Sequence, residues 1–232
     1  MNRADRRRQA KLQQKVGGKA SAIGDAIDQM IEPIVTLLNA QEFTGAEAAL
    51  KELLAASPEH AEGLHLYGLL LSQTGREEQG IAALRKATER APAIALYWNN
   101  LAAAYSRHQE WDASVAAARK ATELDPNYAE PQHILTNILL SQGKTEAGTD
   151  ELAKLVTLRG GDAKLWLLLA RSRNEQQRHE EAEVAYRKAL ELSPDDATAM
   201  RELASVYMNT WRYDEARRLR QKADELDAAA GH

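Results

Sequence analysis

The sequence predicts an all-α protein, an array of about six antiparallel helix hairpins, and three observations carry that expectation. Helix breakers recur: Pro58, Pro92, Pro126 and Pro194 stand 34, 34 and twice 34 residues apart, and Gly160 fills the skipped place. A fixed period between about 20 and 50 residues marks a repeat architecture. Small residues recur in the same phase. With units drawn at 27–60, 61–94, 95–128, 129–162, 163–196 and 197–230, the twentieth position holds Ala46, Gly80, Ser114, Gly148, Ala182 and Ala216. Within a unit the large apolar and small positions fall at four, seven, eight and eleven, then at twenty, twenty-four and twenty-seven. That spacing makes two helical stripes and not a strand alternation.

The units can be taken in order. The first, 27–60, departs from the pattern: Pro33 and Ile34 stand early in its leading helix, which is expected to start near Pro33. The second, 61–94, has Leu64, Tyr67 and Gly68 on its first helix, with Gly75 where the hairpin turns. The third, 95–128, carries Trp98, Leu101, Ala102 and Tyr105. The fourth, 129–162, is degenerate, with Gln132 in the large position, Gly148, and Gly160-Gly161 instead of proline; it is expected to be the least stable part of the array. The fifth, 163–196, restores Trp166, Leu169 and Ala170. The sixth, 197–230, has Arg220 where Leu84, Leu152 and Tyr186 stand earlier, so its second helix reads as a polar C-terminal cap on a finished array. Helices of about 12 to 14 residues fit each half, with Ser-Pro or Asp-Pro as stop signals.

Composition narrows the function. The 232 residues include 30 Lys and Arg against 34 Asp and Glu, a net charge of −4, which does not suit a chain that coats nucleic acid. Mean hydropathy is −0.52, and no stretch approaches the roughly 20 apolar residues of a spanning helix. There is no cysteine, which excludes disulfides, Cys-ligated metal and thiol nucleophiles. The basic start lacks the apolar core of a secretory signal, so a cytoplasmic location is expected. Seven cations from Arg3 to Lys19 against Asp5 form a basic arm, residues 1–26, which is expected to be a disordered solubilising tail. The alternative is a contact for nucleic acid or an anionic membrane, because Leu12, Val16, Ile23 and Ile27 have helical spacing.

The repeat resembles the tetratricopeptide repeat. Trp98, Leu101, Ala102, Tyr105, Ser114, Ala121 and Pro126 follow its motif, as do Trp166, Leu169, Ala170, Ala182, Tyr186, Ala189 and Pro194. The opening residues also resemble the start of many alphaproteobacterial proteins, which implies a bacterial source. The family resemblance implies a right-handed superhelix whose first helices line a concave groove that binds a peptide or helix of a partner protein. The positions off the packing face are then His65, Leu66, Leu69, Asn99, Asn100, Arg107, His133, Ile134, Asn137, Lys164, Leu167, Leu168, Arg171, Asn174 and Arg201. Cochaperones of this family hold a C-terminal carboxylate with a clamp of Lys, Asn and Arg. Asn100 matches its middle position, but His65, Leu69, Glu130 and Ile134 replace the rest. The asparagine ladder of related glycosyltransferases fails too, since its column reads Glu32, Leu66, Asn100, Ile134, Leu168 and Glu202. Apolar anchors on the partner fit Leu66, Leu69, Ile134, Leu167 and Leu168 better, unless some of these leucines pack between hairpins.

Catalytic chemistry is not expected. Gly143-Lys144-Thr145 ends like a phosphate loop, but Ile138 replaces its first glycine and no strand precedes it. His179-Glu180-Glu181-Ala182-Glu183 lacks the second histidine of a zinc-protease motif, and His65 and His133 are two units apart, too far for one metal. The sequence therefore points to a non-enzymatic scaffold with no cofactor, no metal and no catalytic residue. Two other readings are an accessory that holds substrates for a separate sulfotransferase or glycosyltransferase, and a tether acting through the arm.

Overall fold

The computed structural model describes Ile27 and residues 29–230; the basic arm lies outside the described residues. Among the described residues there are twelve α-helices and no strand: α1 Ile31–Asn39, α2 Phe43–Ala56, α3 Ala61–Gln73, α4 Glu77–Arg90, α5 Ala95–Arg107, α6 Trp111–Leu124, α7 Ala129–Ser141, α8 Thr145–Leu158, α9 Ala163–Glu175, α10 His179–Leu192, α11 Ala197–Asn209 and α12 Tyr213–Ala230. Two compact units divide the chain, one ending at Glu110 and the other starting at Trp111. The first holds α1 to α5, each helix packed on the next. The second holds α6 to α12, packed in the same sequential way. The boundary falls in the turn of the repeat at 95–128.

Each inter-helix turn has one backbone design. Residue fifteen of every repeat is left-handed, with φ between 58° and 79°: Gln41, Gly75, Gln109, Gly143, Gln177 and Trp211. The next amide donates to the carbonyl five residues back, as in Glu42 to Leu37, Arg76 to Leu71, Lys144 to Leu139 and Arg178 to Arg173, all at 2.9 Å. This is the helix-ending Schellman arrangement, which satisfies carbonyls the last turn leaves open. Only two of the six positions are glycine, so four L-residues hold a conformation that disfavours them.

The other end of each hairpin is set by side chains. His60 Nδ1 accepts from the Gly63 amide at 3.0 Å, Asp162 from Lys164 at 3.0 Å and Asp196 from Ala199 at 2.9 Å, capping α3, α9 and α11. The indole of Trp98 donates to the Pro92 carbonyl at 2.9 Å, and that of Trp166 to the Gly160 carbonyl at 3.0 Å. Gly160 thus supplies the carbonyl that a proline supplies in the repeat at 61–94. In α1, Pro33 lies within the first turn, where its missing N–H leaves no helical bond unmade.

The core lies along the facing small positions. All residues at positions eight and twenty are buried, from Ile34 and Ala46 through Gly68 and Gly80 to Ala204 and Ala216. A methyl group on Gly68 would sit 2.9 Å from the Gly80 carbonyl oxygen, and one on Gly80 would sit 2.9 Å from the Gly68 carbonyl oxygen. Around this contact Leu50, Leu53 and Leu70 fill the first unit, and Leu152, Leu155, Leu169 and Tyr186 the second. The last helix differs from the expected length. The second helices α2, α4, α6, α8 and α10 have 14 residues and α12 has 18. Its added turn is Asp227 to Ala230, three of whose four residues are alanine, the best helix former. No helix among the described residues is long and apolar enough to cross a membrane.

Two substitutions test this account. Gly80→Ala adds about 1 kcal/mol of helix propensity but presses a methyl on backbone that cannot yield, so a net loss of about 1–2 kcal/mol is expected in urea unfolding. Gln177→Gly relieves about 1–2 kcal/mol of left-handed strain against about 0.5–1 kcal/mol of glycine entropy, so the unfolding midpoint should rise.

Candidate partner-binding surface

In the first unit the expected groove positions split in two. Leu66, Leu69 and Asn100 are half-buried and Arg107 is exposed, but His65 and Asn99 are buried at 5% and 7% exposure. For these two the expectation of a solvent-facing side chain is corrected. The His65 ring stacks on Tyr97 of the next first helix, with ring centroids 4.3 Å apart and planes at 23°. Asn99 donates to Asn100 Oδ1 at 3.4 Å, which leaves the Asn100 amide nitrogen to donate to His65 Nε2 at 2.7 Å. His65 must therefore be neutral with its proton on Nδ1. Burial pushes its pKa down to about 4.

The second unit holds the remaining candidates. His133, Asn137, Lys164, Leu168 and Arg171 are exposed, and Ile134, Leu167, Asn174 and Arg201 are half-buried. Most polar members are engaged within the protein. Asn137 lies 3.3 Å from His133 Nδ1, and Asn174 Oδ1 lies 3.0 Å from His179 Nδ1. Arg171 Nε donates to both Glu202 oxygens at 2.8 and 3.1 Å, and Glu202 also helps raise the pKa of the buried Tyr186 hydroxyl. Arg201 bonds Asp224 at 3.0 Å and also Asp227. Hydrogen bonds donated to these carboxylates raise the pKa of both arginines further, so they stay charged.

Besides the exposed Lys164, what remains on this face is apolar. Leu168 is 37% exposed and stands beside half-buried Leu167 on α9. Leu66 and Leu69 are the first unit's counterparts on α3. The sequence reading missed a second exposed apolar group: Met208, Trp211 and Tyr213, at 38%, 79% and 47% exposure. Its signal was present, because Trp211 occupies a turn position that is Gln or Gly in every other repeat. The fourth repeat has its own peculiarity. Gln132, in the large position, is buried and donates to the Glu151 backbone carbonyl at 3.1 Å and to its carboxylate, beside a recess of about 530 Å³. Among the described residues no cluster of three His, Asp or Glu could hold a metal.

Known proteins share this architecture. The tetratricopeptide-repeat family descriptions match residues 35–92, 95–128 and 163–206. The chain carries tetratricopeptide repeats and is an α-solenoid built from them. The small glutamine-rich tetratricopeptide repeat-containing protein 2 of Saccharomyces cerevisiae is 30% identical over 103 residues, 44% of this chain and 30% of that protein. The match thus spans less than a third of that relative's length. Among solved structures, YrrB, described as a TPR protein with an unusual peptide-binding site, aligns with a TM-score of 0.63 at 17% identity over 77% of this chain and 92% of its own. PilF of Pseudomonas aeruginosa has a TM-score of 0.63 at 14% identity, covering 90% and 99%. A MamA fragment from Desulfovibrio magneticus RS-1 has 0.55 at 17%, covering 73% and 96%. At these identities the structures establish the shared fold.

The His65 environment predicts an acid-sensitive first unit. The unfolded imidazole takes up a proton near pH 6.5, the folded one only near 4, so its contribution is complete above 6.5 and is lost as pH falls toward 4. The loss amounts to about 3 kcal/mol across that window. Urea midpoints measured from pH 7 to 4.5 should fall more steeply for the native protein than for His65→Gln.

Proposed function

We propose that the chain is a non-enzymatic scaffold that holds an apolar-anchored peptide or helix of a partner protein along the first helices of its hairpins. The observation that supports this best is the contrast around Leu168. Its polar neighbours Arg171 and Arg201 are tied to carboxylates of the same chain, whereas Leu168 keeps over a third of its surface open. A ligand carboxylate would have to displace Glu202 or Asp224 to reach those guanidinium groups. An apolar side chain laid against Leu167 and Leu168 displaces only water, at a gain of about 25 cal/mol per Å² buried.

The first unit offers the same chemistry. Leu66 and Leu69 are half-buried on α3, and on α5 Asn100, whose amide is oriented by His65 and Asn99, can meet the backbone of an extended segment. YrrB, with its peptide-binding site, gives a precedent on the same fold.

Affinity capture with the full chain, followed by titration of the captured partner's binding segment, tests the reading. Leu168→Asp should weaken binding at least about tenfold with unchanged helix content, since central apolar anchors carry most of an interface's energy. Asn100→Ala should weaken it less. Normal binding by both variants would place the partner elsewhere.

A further inference from the structure

The outward face of α12 carries a pattern that the repeat does not require. Ala216 and Ala223 are buried on its inner side, where it packs on α11. The opposite side reads Tyr213, Arg217, Arg220, Gln221, Asp224, Glu225 and Ala228, and with Met208 of α11 these residues line an open groove of about 770 Å³. At 3.6 residues per turn they share an arc of about 140° on the helix. Next to it Trp211 stands 79% exposed, edge-on to Tyr213 with ring centroids 6.1 Å apart. Trp211 holds φ 63°, a conformation that is an outlier for so bulky a side chain. Gln serves at the same turn in three other repeats.

Charge is arranged about the middle of this face. Arg217 lies four residues before Gln221 and Glu225 four residues after it; Arg220 and Asp224 flank it in the same sense. Among the described residues neither Arg217 nor Arg220 has an ion-pair partner, Glu225 accepts the amide of Gln221 at 2.9 Å, and Asp224 is held by Arg201 of the same chain at 3.0 Å. A face that is basic on one side of its midpoint and acidic on the other is complementary to itself when turned through 180°.

We propose that this face binds a second copy of the chain, the two α12 helices running antiparallel about a two-fold axis close to Gln221. Arg217 then faces Glu225 of the second copy, a pair that occurs twice, as a two-fold interface requires, while Asp224 stays with Arg201 of its own chain. The aromatic end of one helix meets the small end of the other, so Tyr213 lies over Ala229 of the second copy. Exposed ion pairs contribute little affinity but fix orientation, and a parallel arrangement would oppose like charges. Met208, Trp211 and Tyr213 supply the apolar area. This contact does not use Leu167 or Leu168.

Sedimentation equilibrium of the full chain over a concentration series tests the proposal. The expected mass at the upper end is twice 25.7 kDa. Arg217→Glu should return it to one chain, as should Glu225→Lys, both with native helix content. An equimolar mixture of these two variants should recover the two-chain mass, because each then presents the charge the other lacks. Trp211→Gln, a residue the turn already accommodates, should raise the dimer dissociation constant about tenfold or more. Leu168→Asp should leave the mass unchanged. A one-chain mass for the native protein throughout, a two-chain mass that survives both charge variants, or failure of their mixture to associate would overturn the proposal.

Discussion

The contact between positions eight and twenty is the constraint from which the rest of the structure follows. A hairpin whose helices touch backbone to backbone, as at Gly68 and Gly80, fixes how far apart the two helix axes lie. That separation determines where the large residues of positions four, seven and twenty-four arrive, and so how the next hairpin is received. The paired positions vary together within limits. Ala170 with Ala182 and Ala204 with Ala216 give the standard spacing, while Thr136 is matched by Gly148. A methyl on Gly148 would lie 2.6 Å from a Leu140 methyl and 3.0 Å from the Leu140 amide, so the glycine there is a packing requirement and more than a weak helix former. Stability in such an array is a sum of neighbour terms, and each term depends on that spacing.

The period, the helix count and the hairpin limits were legible in the sequence because they rest on local rules: helical spacing of apolar residues, prolines at stops and small residues at crossings. The left-handed turn residue was legible only at Gly75 and Gly143. At Gln41, Gln109, Gln177 and Trp211 the conformation is imposed by the two helices that leave the turn and by the amide-to-carbonyl bonds between them, against the preference of the residue itself. The longer α12 was hidden for a different reason. Expectation was tied to the 34-residue period, and a helix followed by Leu226-Asp227-Ala228-Ala229-Ala230 meets no breaker when the period ends.

The candidate site was legible by column and not by partner. Sequence spacing says which residues leave the packing face, but whether they remain available depends on what stands about one repeat away. Arg171 meets Glu202 at a separation of 31 residues, His65 meets Asn100 at 35, and the Glu47–Arg76 and Glu183–Arg212 bridges both span 29. Hydrogen bonds from Arg76 and then Lys51 hold the Glu47 carboxyl down at about 2. Comparing charges one period apart would have found these pairs. It would not have found the burial of His65 and Asn99, since position five is exposed at His133 on the same column. There the outcome depends on Tyr97, whose ring covers His65.

These internal pairings decide what chemistry the surface can offer. A guanidinium already held by two carboxylate oxygens attracts a third poorly, because the new ion must break bonds of equal strength and be desolvated to do so. Arg171 therefore stiffens the packing of neighbouring hairpins and Arg201 that of its own, and both are weak recruiters of anions. Arg217 and Arg220 on α12 are the reverse, charged, exposed and unpaired among the described residues, next to the most exposed aromatic group among them. In the proposed scaffold role, specificity on the first-helix face falls mainly to apolar fit and to the amide of Asn100, a combination that discriminates by shape and backbone hydrogen bonding. Charge-directed recognition, sensitive to salt, belongs to the proposed contact on α12. The same fold thus separates its two kinds of surface by where the repeat spends its carboxylates.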